Sequence, residues 1–135
     1  MLKVMSNKNV TELNDITSVF LDWLSDGIND GSISFNTSGS LVHFVDDGLF
    51  LNSPRVFRVF VRKFKDLNIT YETLVKKIAD DDLFKRTNSE SIIFKYRVIG
   101  FDRVTLAGCI ISSHHLKLKN ISAVNEKLVM CDGQT

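Results

Sequence analysis

Hydrophobic positions change their period along this chain, and each change marks an element. Over residues 11–29, Leu13, Ile16, Val19, Phe20, Trp23, Leu24 and Ile28 recur at helical spacing, and Asn29-Asp30-Gly31 supplies a stop. Ile33 and Phe35 begin a short strand. Residues 41–45 and 49–51 are almost wholly apolar on either side of Asp46-Asp47-Gly48, so they predict two strands covered on both faces, with Asp47-Gly48 as the tight turn. Ser53 as N-cap and Pro54 at the first helical position open a second helix that runs to about residue 66. Its Phe57, Phe60, Val61 and Phe64 form one stripe, and Arg55, Arg58, Arg62 and Lys65 lie opposite. Thr70 caps a third helix, with Tyr71, Leu74, Val75 and Ile78 inward and Thr73, Lys76, Lys77 and Asp80 outward.

After a polar connection at 85–90 the period drops to two. Ile92, Phe94, Tyr96 and Val98 point one way and Ile93, Lys95 and Arg97 the other, while residues 104–111 return as the partner strand around a tip loop at 99–103. Helix, strand, helix, helix, strand, loop, strand is the order of a winged helix. The expectation is therefore one α+β domain over 1–135: a helix-turn-helix with a β-hairpin wing, plus an additional small β-hairpin. Its ordered core spans about 10–115. The tail adds a short strand or helix around 122–130, and its last residues fray.

A chain of 135 residues supports a single core. Pro54 is the only proline, no repeat recurs, and no apolar run approaches the roughly 18 residues that cross a bilayer, so no membrane insertion is expected. Residues 1–8 have too short an apolar run for a secretory leader. Cys109 and Cys131 form neither a CxxC pair nor a disulfide framework, which fits a reducing, cytoplasmic setting. The net charge of +1 hides a polarity along the chain: residues 1–52 carry −5, residues 53–103 carry +5 and residues 104–135 carry +1. A basic centre can steer an acidic polymer to one face of a nearly neutral molecule.

Catalytic chemistry finds no support in the residues. His114-His115, adjacent in an extended segment, would face opposite sides, and no further ligand stands at a recognisable spacing. Cys109 sits in an apolar strand as a core residue, Asp80-Asp81-Asp82 lacks the loop and glutamate of a calcium site, and no phosphate loop exists. No metal or cofactor is expected. DNA binding is the leading expectation. Thr73, Lys76 and Lys77 would lie near bases or phosphates, and Lys85, Arg86, Lys95, Arg97 and Arg103 would grip the backbone. Arg55, Arg58 and Arg62 would extend that footprint, although charged stripes are usually only solvated faces. The aspartates ending the third helix oppose this reading, so the rival is a protein-docking or self-association module with Phe101 exposed at the wing tip.

A family resemblance adds to these readings. Residues 41–57, Leu-Val-His-Phe-Val-Asp-Asp-Gly-Leu-Phe-Leu-Asn-Ser-Pro-Arg-Val-Phe, resemble the "LVHVV-x-EGLLLVSP-x-IF" stretch in the C-terminal domain of TraI-type conjugal nickase/helicase proteins, the MobH class of relaxases. Phe20-Leu21-Asp22-Trp23-Leu24-Ser25-Asp26-Gly27-Ile28 is similar to that family's "FL-x-WL-x-x-GI". Lys85-Arg86, Val98-Ile99-Gly100 and Leu106-Ala107-Gly108 fit its "KR…Y-x-V-x-G…L-x-G". The resemblance covers roughly residues 15–113. It implies a piece of the conjugative DNA-transfer machinery of a mobile element, from a longer bacterial relaxase with nicking in a separate N-terminal metal-binding domain; with the DNA-binding reading above, the expectation is an accessory DNA-binding domain of that protein. The partners it implies are DNA, other conjugation proteins or the N-terminal half of the parent. Where the family tends to have Pro-Asp-Gly before its wing strand, this chain has Thr87-Asn88-Ser89-Glu90.

Overall fold

The computed structural model describes residues 9–131; the readings of residues 1–8 as leaderless and of the last four residues as frayed fall outside them. Helix α1 (Asn9–Asp30) ends where expected, with Gly31 at φ +86° and the Asp30 carboxylate accepting the Ser32 N–H at 2.8 Å. Strands β1 (Val42–Val45) and β2 (Gly48–Asn52) form the first hairpin. Its two-residue turn is Asp46-Asp47 rather than Asp47-Gly48: Val45 pairs with Gly48, which is already in the strand. At φ +138° Gly48 lies against the Ile111 carbonyl, where a Cβ would collide. Residues 33–35 contribute an isolated bridge from Phe35 to Val42 in place of a strand.

Helix α2 (Arg55–Lys63) starts one residue later than its sequence predicts. Pro54, after a cis peptide bond, occupies the N-cap, and no side chain caps the helix there. Ser53 instead donates its N–H to the Ala107 carbonyl at 3.0 Å, extending the pairing of β2 with the neighbouring strand. The expected last turn becomes a separate 3-10 turn, Lys65–Leu67, closed by Asn68 in the left-handed region. Helix α3 (Tyr71–Asp80) begins as read, with the Thr70 hydroxyl accepting the Thr73 N–H at 3.1 Å. The ribbon of β3 (Phe94–Val98) and β4 (Phe101–Ile111) turns at Ile99-Gly100, so Phe101 and its neighbours are strand and not loop. Residues 102–104 are extra on β4, bulged between the pairs Arg97–Thr105 and Val98–Phe101.

The tail resolves as a strap that ends in β5 (Leu128–Met130). It leaves β4 through a 3-10 turn at Ser113–His115 and runs along α1, where Lys117 donates its N–H to Ser25 and Lys119 to Asn29. It then passes the 36–40 loop and pairs with β3. The sheet order is β1-β2-β4-β3-β5, antiparallel throughout. Its two edges approach one another: Asn125, just before β5, donates its N–H to Phe44 of β1 at 2.7 Å. The sheet is therefore curled, with the helices outside and a second face enclosed.

Each face has its own core. Outside, Phe20 of α1 stacks on Phe57 at 5.5 Å and meets Phe60 edge-on at 5.3 Å, above Val42, Phe44, Leu49, Leu51, Cys109 and Ile111. Burying each such aromatic contributes about 1.5–3 kcal/mol. Inside the curl, Val45, Phe50, Phe94, Tyr96 and Ile110 form a smaller cluster flanked by Leu106, Leu128 and Met130. Gly108 allows β2 and β4 to approach, because a Cβ there would strike the Leu51 carbonyl and the Phe50 ring. Burial pushes the Cys109 thiol up to about 12, as suits a core residue and not a nucleophile. No helix among the described residues is long and apolar enough to cross a membrane.

Candidate nucleic-acid interface

Helix α3 presents its expected polar face, and both of its lysines have carboxylate neighbours there. Lys76 pairs with Asp80 at 2.9 Å and Lys77 with Asp81 at 2.8 Å, both at i,i+4. The two pairs differ in burial. Side-chain exposure is 75% and 60% for Lys76 and Asp80 against 28% and 34% for Lys77 and Asp81, and Asp81 also accepts the Thr17 hydroxyl at 2.6 Å. The Lys77–Asp81–Thr17 chain thus anchors the end of α3 to α1. These hydrogen bonds, from Lys77 first and then Thr17, hold the Asp81 carboxyl below the usual carboxylate range. The Thr73 hydroxyl is taken up by the cap, where it accepts from Thr70 at 3.0 Å.

The β3–β4 ribbon places its cations on one face. Lys95 stands opposite Ala107 and Arg97 opposite Thr105, and strand alternation puts this row on the same side of the sheet as Cys109 and Ile111, the side of the helices. Both side chains are exposed, as is Arg103 in the bulge. Ser53 hydrogen-bonds to Ala107, directly across from Lys95, so α2 begins beside this row. Along α2, Arg55 donates to the Gly39 carbonyl at 2.6 Å, Arg58 lies over the Tyr71 ring at 4.8 Å, and Arg62 is exposed. Sequence order alone does not bring Arg55 and the ribbon together; the continued β2–β4 pairing does.

Lys85 and Arg86 lie between α3 and β3 and serve local structure. Lys85 approaches Asp47 of the first hairpin at 3.7 Å, and Arg86 donates to the Glu90 carbonyl at 3.2 Å. The loop at 87–91 closes on itself through buried Thr87, whose hydroxyl accepts the Ser91 N–H, and Glu90 takes φ +67°. His114 and His115 sit in the 3-10 turn with ring centroids 4.3 Å apart rather than on opposite strand faces, and the His114 Nδ1 is 2.6 Å from the Ser112 hydroxyl. Among the described residues no three His, Cys, Asp or Glu gather as metal ligands.

A second site lies inside the curl and escapes the sequence reading. His43, 4% exposed, faces in beside Phe50, and its Nδ1 accepts from the Asn125 amide at 3.0 Å. Burial holds the ring below the ordinary histidine value, so it is neutral at pH 7. Asn125 comes from the tail, 82 residues away in sequence, so no local spacing could reveal the pair. His43 lines a cavity of about 610 Å³ together with Asn52, Phe101, Val104, Leu106 and Lys127, among others.

The family model described as "Putative conjugal transfer nickase/helicase TraI C-term" matches residues 15–131. Among solved structures, the chain is similar to the C-terminal domain of the Salmonella enterica protein STY4665, with TM-score 0.68 and 23% identity over 90% of this chain and 98% of that one. That likeness is one of fold. The comparison with curated proteins gave no match.

Proposed function

Because the chain belongs to the family of TraI-type conjugal transfer nickase/helicase C-terminal domains, we propose that it serves conjugation as a non-catalytic, DNA-binding winged helix. In this reading α2 and α3 are the helix-turn-helix and β3–β4 is the wing. The observation that carries it is the exposed row of Lys95 and Arg97 on the helix side of the ribbon, with α2 starting alongside. Phosphates meet the wing first and Arg58 and Arg62 next, while Lys76, weakly held by an exposed partner, can exchange Asp80 for a phosphate. Binding of this kind positions a domain on DNA and falls steeply with salt. Fluorescence anisotropy with short duplexes and single strands tests it. Wild-type protein should bind with strong salt dependence, and Lys95→Glu with Arg97→Glu should weaken binding at least about tenfold and lower the salt slope by about two contacts. Salt-independent binding, or an unaffected double variant, would refute it.

A second reading, docking to another transfer protein, is favoured by the apolar ribbon tip, where Ile99, Phe101 and Val104 are 56%, 62% and 42% exposed. If docking is the role, the isolated domain ignores DNA and binds its parent's N-terminal half through that tip.

A further inference from the structure

The cavity inside the curl combines unused hydrogen-bonding groups, an aromatic rim and a cation. His43 makes one side-chain hydrogen bond, at Nδ1. Asn125 is fixed in turn, since its Oδ1 accepts the Lys127 N–H at 3.1 Å, which leaves the amide nitrogen to donate to His43. The neutral ring therefore carries its proton on Nε2. Among the described residues no buried side-chain nitrogen or oxygen lacks a partner, so Nε2 reaches open space, and the space that His43 borders is the cavity. Asn52 lies on the same sheet face, two residues beyond Phe50 on β2, and its half-buried amide makes no side-chain hydrogen bond among the described residues. Phe101 and Val104 form an apolar rim from the ribbon, and Lys127 adds a positive charge.

These features match a planar, polar-edged group with an anion attached. A hydrogen-bond donor and an amide on the floor, an aromatic ring at the rim and an ammonium beside it are the parts that hold an unstacked base. The volume falls within the roughly 300–1,000 Å³ typical of small-ligand sites. We infer that this cavity receives one unpaired base of single-stranded DNA, with Phe101 stacking on it, His43 Nε2–H and the Asn52 amide meeting its edge, and Lys127 beside its phosphate. The inference rests on the nucleic-acid reading above and adds to it a site that discriminates single strands from duplex.

The test compares a labelled single-stranded oligonucleotide with a hairpin duplex by anisotropy, using wild type, Phe101→Ala and Asn52→Ala. Phe101 is largely exposed, so its replacement spares the fold. Phe101→Ala should lower single-strand affinity about 5- to 100-fold and leave duplex affinity unchanged. Asn52→Ala should act in the same direction, and NMR signals of the His43 ring and Asn52 amide should shift with the single strand only. Retained single-strand affinity in Phe101→Ala, equal losses on both DNAs, or unmoved cavity signals while ribbon signals shift would overturn the inference and leave the wing reading standing. Failure of wild-type protein to bind either DNA would overturn both.

Discussion

Helix α3 and the β3–β4 ribbon each carry cations at regular spacing, yet the two backbones supply those cations with different neighbours. On the helix, residues four apart are neighbours, so Lys76 and Lys77 find Asp80 and Asp81 one turn on, and the charge is neutralised within the element. On the ribbon, Lys95 and Arg97 are two apart on one exposed face, so the acidic neighbour that a helix offers one turn on is not built into the period of the strand; across β4 they face Ala107 and Thr105. The lesson is that an equal count of cations in two stretches of sequence conceals different surroundings, because the period of the backbone decides which side chains become neighbours.

The strongest way to break this contrast is to reverse both sets of charges. Lys95→Glu with Arg97→Glu should cost at least about tenfold in DNA affinity, whereas Lys76→Glu with Lys77→Glu should cost no more than about threefold once scaled to folded protein. Equal losses in anisotropy would erase the distinction. Next in size is the structural role of Lys77: Lys77→Met should lower stability in urea titration by about 0.5–1 kcal/mol, while Lys76→Met stays within about 0.5 kcal/mol of wild type. Smaller still, Asp80→Asn should release Lys76 and remove a negative charge beside it, raising affinity about two- to threefold at low salt. No gain would show that α3 lies away from the DNA.

Two pH effects sharpen the comparison further. The Asp81 carboxyl is held below 3.8 in the folded protein, so its contribution to stability is complete above 3.8 and is lost as pH falls through the folded value. Asp81→Asn should remove that part of the acid transition, and an unchanged acid limb would deny the anchor. His43 is lowered from 6.5 by burial, so protonation favours the unfolded chain. Stability should be full above 6.5 and decline as pH drops below it, an effect absent in a His43→Gln variant that stays folded.

Periodicity made most of the scaffold legible. The stripes of α2 and α3 and the alternation of β3 concern neighbours close in sequence, and Thr70 caps α3 by a contact three residues away. What escaped depended on distant partners. Ser53 reads as a cap by composition, but its N–H is claimed by Ala107; Gly48 reads as a turn residue, but it pairs with Val45 inside the hairpin and lies against the Ile111 carbonyl of β4. Asp81 reads as a charge that repels DNA, and only the approach of Thr17 reveals it as an anchor. The inner cavity was the least legible feature, because His43, Asn52, Phe101 and Lys127 come from four separate stretches brought together by the curl.

The most direct measurement of the central claim is a backbone and side-chain NMR map of the domain titrated with a short DNA in low salt. The account predicts that the largest shifts fall on residues 95, 97, 103 and 105 and on the start of α2, with Lys77 and Asp81 nearly still. Shifts centred on Thr73, Lys76 and Lys77, with the ribbon unmoved, would contradict it.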